Sequence, residues 1–426
     1  MPSTIHPVVR LPWPKAERLF PPGRLTSPPT AGKHYEVFTG EIFPVKGQGT
    51  ISLTFKSRRP FRIVLTRDRQ QSFGRPDVIV LDVGRRRTCL RRANNDADRD
   101  VLMEADTSAL QAEGDDPQAP YWLSLDKNNR RIRVGRGEML LSLMVMEFKL
   151  PPRPEKGTDP FGFIEDLHCI ALSDISPSQV VGHDVSPLPV TLDPAPQIMA
   201  AEDVTLEHLA QNDITVVADL PQACQALYGA VGGPGVTLAP SDFPDFAAAI
   251  DYSIITPGCI CYKKLAEKQV EHPGFGYLRI TIDPNMGDSP GSPYVLEIWP
   301  AGNGSPIHDH GRACAVIKVL HGSIEVSLYP ALSPEIDHPY GVVTLDAGTV
   351  TFLTPRYFQI HKLHNPAAQG MTATIQCYRY PDEDGVHYEY FDYVQDGRIQ
   401  HFLPDSDWEY LDFKRLIKAE WDARKT

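Results

Sequence analysis

The chain lacks several features that would place it in a special class of protein. No apolar run in its 426 residues approaches the roughly eighteen that a membrane-spanning helix needs, so no membrane partner is expected. Its first residues, MPSTIHPVVRLPWPK, have no apolar segment typical of a secretory signal, so we expect a cytoplasmic protein. The seven cysteines are odd in number and scattered, which indicates reduced thiols rather than a disulfide framework.

Proline, by contrast, is abundant, with 40 residues in a chain that is 42% hydrophobic and 23% charged. This composition is typical of a protein with a buried core, many turns and few long helices. The net charge of −12 is uneven, because residues 1–150 carry an excess of Lys and Arg and the remainder is strongly acidic. The asymmetry predicts two modules with different surfaces. No nucleic-acid-binding motif accompanies the basic runs, so no nucleic-acid partner is expected.

The pattern of short segments predicts a mainly β protein with four regions. Alternating segments bounded by turn residues, such as FRIVLT and YWLSL, favour an antiparallel β-sandwich, and further strands follow Tyr277 after a stretch of helical periodicity. The predicted regions are a Pro-rich N-terminal arm (1–33), a β-sandwich accessory domain (34–150), a Pro-rich linker (151–200), and short helices followed by a β-barrel of jelly-roll type (201–426).

A histidine constellation is the most informative feature. The segment WPAGNGSPIHDHGRACAVIKVLHG contains His308 and His310, which a strand would direct to one face. A third imidazole, His361, follows in FLTPRYFQIHKLHN. The surrounding residues reproduce the two-half G…HxH…G and G…P…HxxxN pattern of cupin barrels. They are Gly302, Gly304, Pro306, Gly322, Gly348, Pro355 and Asn365. The sequence therefore predicts a metal site formed by the three histidines.

Many cupins also place a glutamate shortly after the first histidine pair, but here that stretch reads GRACA. Three neutral imidazoles leave a divalent ion with its full charge and with open positions, which suits an anionic thiolate and dioxygen. Zinc or nickel would bind the same ligands, so the metal's identity does not follow from the ligands alone.

Residues of about 200–400 resemble the cysteine dioxygenases, a thiol dioxygenase family within the cupin superfamily. The similarity lies in GSPIHDHGRACAVIKVLHGSIEVSLY, in HKLHN and in CYKK. It implies an Fe(2+) enzyme that oxidises a small thiol with O₂ to its sulfinic acid, with cysteine as the expected thiol and 3-mercaptopropionate as the alternative. It implies that His308, His310 and His361 are the iron ligands and that Tyr378 is the active-site tyrosine.

The resemblance also implies substrate contacts. The arginine that binds the substrate carboxylate in the family falls on Lys264, beside Tyr262, and Arg312, Arg356 and Arg379 are the alternatives to it. The residues that support the tyrosine fall on Thr374 and Gln376, which remain hydrogen-bonding types.

In animal members of the family a cysteine is crosslinked to the tyrosine, and its position here is Ala315. The neighbouring Cys314 would point to the opposite face of the strand. We therefore expect no crosslink in this protein.

Residues 34–150 are similar to the β-sandwich domain of farnesoic-acid O-methyltransferase-like proteins, in the order FRIVLT…DVIVLDVGRRRTCLRR…YWLSLDKNNRRIRVGRGE. This similarity implies a domain that binds a ligand, binds a partner or acts as a scaffold. Besides a thiol dioxygenase, the C-terminal region allows a cupin metalloenzyme of different chemistry, such as a lyase or isomerase. It also allows a non-catalytic cupin that binds a metal or ligand.

Overall fold

The computed structural model describes residues 9–10, 36–56, 60–69, 77–93, 99–106, 119–175, 179–271, 275–282, 294–380, 391–402 and 405–424. These residues are mainly β, as the sequence predicts. The chain divides into two compact units: one comprises residues 12–193, and the other residues 194–426 together with residues 1–11. None of the helices in the described ranges combines the length and the apolar character that crossing a membrane requires.

The second unit includes strand β1 (Val9–Arg10), which pairs antiparallel with the strand that begins at Gly341. These two residues lie in the predicted N-terminal arm, and the rest of that arm is outside the described residues.

The unit of residues 12–193 is a β-sandwich. Its strands are β2 (Glu36–Ile42), β3 (Gln48–Phe55), β4 (Phe61–Thr66), β5 (Val78–Val83), β6 (Arg87–Ala93), β7 (Arg99–Asp106), β8 (Tyr121–Asp126), β9 (Arg131–Arg136), β10 (Met144–Lys149), β11 (Cys169–Ser173) and β12 (Val180–Ser186). Within the described residues they form two sheets, β10-β9-β8-β3-β12 and β2-β11-β4-β5-β6-β7. Aliphatic side chains of both sheets share one buried core, which makes the two sheets a sandwich.

The region predicted as a linker, residues 151–200, contains two strands of this sandwich. The CIALS and VVGHDVS segments pair antiparallel with β4 and β3, and the prolines of the region lie before, between and after these two strands in the sequence. Two short β-forming segments outweigh the prolines around them, because proline disfavours only the positions that must donate to the ladder.

The other unit carries the histidines. Its remaining strands are β13 (Gln197–Met199), β14 (Thr215–Val216), β15 (Leu278–Thr281), β16 (Tyr294–Trp299), β17 (Cys314–His321), β18 (Ser323–Leu328), β19 (Gly341–Asp346), β20 (Val350–Leu353), β21 (His361–His364), β22 (Thr372–Arg379), β23 (Phe391–Gln395), β24 (Arg398–Phe402) and β25 (Trp408–Glu409). Its helices are α1 (Leu206–Gln211), α2 (Gln222–Val231), α3 (Phe246–Ile255), α4 (Ile260–Glu271) and α5 (Tyr410–Ala423).

These strands form a sheet of order β1-β19-β18-β21 and a larger sheet of order β14-β13-β20-β17-β22-β16-β15-β25. Apolar residues of both sheets line a common interior, so the sheets face each other as in a jelly roll. In the described residues the sheets are separate, so the predicted barrel is not closed by continuous strand pairing. A β23–β24 hairpin follows in the chain.

Strand alternation gives β15 and β16 two different faces. Leu278, Ile280, Leu296 and Ile298 belong to one buried cluster with α3 and α5, on the outer face. The intervening residues Arg279 and Glu297 therefore point to the inner face, toward the histidines.

The predicted helical region contains α1 to α4. Helix α3 begins at Phe246, after Pro244 and a turn that delay the first helical residue. The CYKK segment, predicted to bind substrate, lies inside α4.

Candidate metal centre

His308 and His361 are held together by main-chain pairing. The amide N–H of each donates to the carbonyl of the other, at N···O distances of 3.0 and 3.1 Å. The chain can approach this closely because a Cβ atom at Gly304 would lie 2.2 Å from the carbonyl oxygen of Leu363, which only glycine avoids. The glycine of the sequence motif thus brings the first histidine pair against β21.

The three imidazoles converge on one point. Each pair of ring centroids among His308, His310 and His361 is 4.8 Å apart, and one ligand atom of each lies within 4.8 Å of the others. His310 and His361 are buried, and His308 is half-buried. Among the described residues no carboxylate or thiolate joins this cluster.

Hydrogen bonds orient two of the rings. His308 Nδ1 lies 3.1 Å from the carbonyl oxygen of Pro306, and His361 Nδ1 lies 3.0 Å from that of Phe358. Each Nδ1–H donates to a carbonyl, so each Nε2 carries a lone pair that faces the cluster.

The same nitrogens test whether a metal ion fits. Nε2 of His310 and Nε2 of His361 are 3.2 Å apart. Two nitrogens bound to one ion at about 2.1 Å lie about 3.0–3.4 Å apart at right-angled or tetrahedral geometry, so the spacing fits. At this distance neutral His310 with its proton on Nε2 donates to the Nε2 lone pair of His361, whereas with its proton on Nδ1 it presents a second lone pair. In the latter tautomer the nitrogens of the cluster fit a divalent ion.

Burial keeps the imidazoles neutral. It lowers the pKa of His308 to about 4 and that of His361 to about 3, with the neighbouring His308 lowering the latter further. The pKa of His310 is well below its ordinary value, first because of burial and then because of the adjacent His361 and His308. Neutral imidazole is the form that binds metal ions.

These pKa values predict a loss of metal-free stability in acid. Between pH 6.5 and about 4 these histidines are protonated in the unfolded chain but remain neutral in the folded protein. The free energy of unfolding therefore falls as pH falls. Each histidine contributes about 1.4 kcal/mol per pH unit in this range. Urea unfolding of chelator-treated protein at pH 7 and 5 should give a smaller difference for His361→Gln than for the parent. Equal differences would contradict the prediction.

A small cavity of about 20 Å³ adjoins His308 and His310. Its polar wall is provided by the side chains of Arg279, Glu297, Gln376 and Tyr378 along with His308 and His310. Most of the remaining lining is aromatic, with Ser305 and Leu363, and the ring of Phe391 lies 4.8 Å from that of His310. The cavity beside the cluster is thus small and walled largely by aromatic rings.

Arg279 is a site residue that sequence reasoning missed. It is 5% exposed and directly opposite Glu297 in the β15–β16 register, with Nε 3.6 Å from Glu297 Oε1. The signal was present in YLRITI, because a charge in the middle of a short apolar strand indicates an inward-facing functional group.

Glu297 was missed as well, because the motif places its carboxylate after His310 rather than in the strand before it. Burial raises the pKa of Glu297 to about 7, and Arg279 opposes that shift. The side-chain amide of Gln376 donates to Glu297, and the hydroxyl of Tyr378 donates to Gln376. An ion pair and two hydrogen bonds therefore link the cavity's arginine to its tyrosine.

Of the residues predicted to support the tyrosine, Gln376 lines the cavity and Thr374 does not. Thr374 is fully buried, accepts a hydrogen bond of 3.2 Å from Trp299 Nε1, and lines a second, apolar cavity of about 30 Å³ between the two sheets. Ala315 lies directly opposite Tyr378 in the β17–β22 register, so the position across from the tyrosine carries no sulfur.

Three predicted substrate contacts lie elsewhere. Lys264 and Tyr262 are on α4, where Lys264 Nζ is 3.6 Å from Glu267 and Tyr262 is 42% exposed. Arg312 is exposed in the turn after His310, with a left-handed φ of 68°. None of the three is among the described residues that line the cavity. That these three residues contact the substrate stays a prediction.

No protein-family model matches the chain. Among solved structures it is similar to an oxalate oxidase in complex with the substrate analogue glycolate, at 17% identity over 25% of this chain and 52% of that one, with a TM-score of 0.21. It is also similar to a cupin 2 domain-containing protein from Halorhodospira halophila (18% identity, 35% and 82% covered, TM-score 0.21). A third is the Cupin_2 domain of an XRE family transcriptional regulator from Enterobacter cloacae (14% identity, 25% and 97% covered, TM-score 0.19). The chain spans about half the length of the oxalate oxidase chain that it matches.

Proposed function

We propose that this protein is an Fe(2+)-dependent thiol dioxygenase that converts a small thiol and O₂ to a sulfinic acid. The observation that carries the proposal is a cluster of three neutral imidazoles without a carboxylate among the described residues, two of which, His308 and His310, line one small cavity with a buried arginine. An uncompensated divalent charge favours an anionic sulfur ligand, and the arginine favours a thiol that also bears a carboxylate. Cysteine and 3-mercaptopropionate meet both requirements.

When bound, Fe(2+) would supply thiol deprotonation and electron exchange with dioxygen. His308, His310 and His361 would hold the ion. Overall, the sulfur of RSH loses four electrons, O₂ gains four, both oxygen atoms end on sulfur, and one proton leaves as RSO₂⁻ forms.

The chain's other residues have separate tasks in this proposal. Arg279 binds the substrate carboxylate and so fixes the position of the thiol carbon chain relative to the histidines. The rings of Phe391 and Tyr393 close the cavity against water. Tyr378 provides a hydroxyl beside His310, since the two rings stack with their centroids 5.4 Å apart.

Oxygen uptake tests the proposal directly. Protein loaded anaerobically with Fe(2+) is mixed with cysteine, 3-mercaptopropionate, cysteamine or homocysteine, and O₂ consumption and sulfinate are measured together. We expect one O₂ consumed per sulfinate formed with at least one thiol. His308→Ala should abolish uptake, whereas His338→Ala, at a side chain that is 84% exposed, should not. Bound iron with no uptake from any thiol would refute the proposal.

Glu297 favours a second candidate, a metal-dependent lyase or isomerase. A buried carboxyl with a pKa of about 7 beside a metal site is suited to general acid–base catalysis. Such an enzyme would consume no O₂, so the same uptake experiment separates the two functions.

A further inference from the structure

The cavity's polar residues form a row across three neighbouring strands. Arg279 in β15 is paired with Glu297 in β16, and Glu297 is paired with Thr374 in β22. Gln376 and Tyr378 follow Thr374 at two-residue spacing, so they share its face of β22. The row therefore runs across the sheet from Arg279 through Glu297 to Gln376, and then along β22 to Tyr378.

This row fixes the direction of each hydrogen bond. A carboxylate only accepts, and Arg279 next to Glu297 favours the ionised form. In the structure the NH₂ group of Gln376 donates to Glu297, and its carbonyl oxygen accepts from the Tyr378 hydroxyl, which is the arrangement that an ionised Glu297 requires. An amide oxygen only accepts, so the hydroxyl proton of Tyr378 is used in the bond to Gln376.

We propose that Glu297 is a positioning residue that holds the Tyr378 hydroxyl proton away from the three histidines, so that Tyr378 presents only lone pairs to a ligand bound there. A ligand that donates a hydrogen bond is then favoured over one that only accepts. Without Glu297 the Gln376 amide can rotate, and Tyr378 can donate into the cavity. The claim about thiol selection rests on the proposed function, whereas the hydrogen-bond direction does not.

The direction is measured by NMR of metal-free protein labelled with ¹⁵N in glutamine side chains, with the Gln376 signal identified by its loss in Gln376→Leu. We expect Glu297→Gln to shift the Gln376 NH₂ protons upfield and to speed their exchange with water, because their carboxylate acceptor is lost. Tyr378→Phe should change them little, since its hydroxyl bonds the other end of the amide.

A large change in Tyr378→Phe together with a small one in Glu297→Gln would overturn the proposal. If Glu297→Gln does not fold, the Tyr378→Phe result still decides, because a reversed amide would lose its acceptor in that variant.

The consequence is measured as a selectivity ratio. Cysteamine offers N–H donors to Tyr378, and 3-mercaptopropionate offers only acceptors. We expect the ratio of kcat/KM for cysteamine over 3-mercaptopropionate to fall about fivefold to tenfold in Gln376→Leu, the worth of about one hydrogen bond. This variant keeps the charge of Glu297, so the change cannot come from a lost carboxylate. The Tyr378→Phe/Gln376→Leu double variant lacks the hydroxyl. Its ratio should therefore not fall below that of the Tyr378→Phe single variant.

An unchanged ratio in Gln376→Leu, at equal iron content, would overturn the selectivity claim. If the parent oxidises no thiol at all, the proposed function has failed, and the NMR experiment still decides the direction of the hydrogen bonds.

Discussion

Replacing His361 with alanine is expected to remove bound Fe(2+) and to lower oxygen uptake at least a hundredfold. His361 supplies one of only three nitrogens in the described cluster. Loss of a residue that merely supports a metal ligand already costs about 10–100-fold in affinity or activity, so loss of a ligand should cost more. The measurements are metal content after gel filtration and O₂ consumption with the best thiol. Full iron occupancy in His361→Ala would show that this histidine is not a ligand.

A matched substitution separates metal binding from the proposed chemistry. His361→Asp creates a set of two histidines and one carboxylate, which is a known arrangement of ligands for Fe(2+). We expect this variant to retain iron and yet to oxidise thiols more slowly, because the carboxylate cancels some of the charge that favours the thiolate. His338→Ala is the control for the loss of a histidine that is not packed against other side chains, since the His338 side chain is 84% exposed.

Replacing Arg279 with glutamine is expected to raise KM for 3-mercaptopropionate about 10-fold to 100-fold and to affect cysteamine much less. The buried guanidinium is the charged donor in the cavity, and a hydrogen bond to a charged group contributes about 1.5–3 kcal/mol. Arg279→Lys should recover only a fraction of the loss, because lysine lacks the planar pair of donors. Steady-state kinetics with the two thiols measure both effects.

Two controls accompany this prediction. Lys264→Ala should leave both thiols unaffected, because Lys264 is on α4 beside Glu267 and does not line the cavity. The Arg279→Gln/Glu297→Gln double variant removes the unpaired carboxylate that the single variant leaves behind, so it separates lost recognition from a disturbed cavity. A selective loss in Lys264→Ala, with none in Arg279→Gln, would reverse the assignment.

The elements of this fold that have strong local signals are predictable from the sequence. The segment FRIVLT predicts β4 with its observed bounds, because a run of β-branched and aliphatic residues is bounded by residues typical of turns. The mainly β character and the helices before Tyr277 also follow from periodicity. Strands β11 and β12 were missed, because the prolines around them are typical of a linker.

The histidine motif was readable for the same local reason. His308 and His310 are two residues apart, and the glycines around them allow a short turn and a close approach to the His361 segment. His361 belongs to a second motif of the same kind. The role of Gly304, by contrast, appears only in the tertiary structure, because it concerns the close approach of Leu363 from a distant part of the sequence.

The remaining members of the site come together only through long-range strand pairing. Arg279, Glu297 and Gln376 meet because β15, β16 and β22 pair in one register, and those strands are separated in sequence by up to about a hundred residues. A sequence shows that each strand alternates, but not which strand lies beside which or with what offset. That choice is made by the packing of two sheets and three helices around buried side chains. It brings the charge of Arg279 into the cavity, which the sequence pattern alone did not indicate.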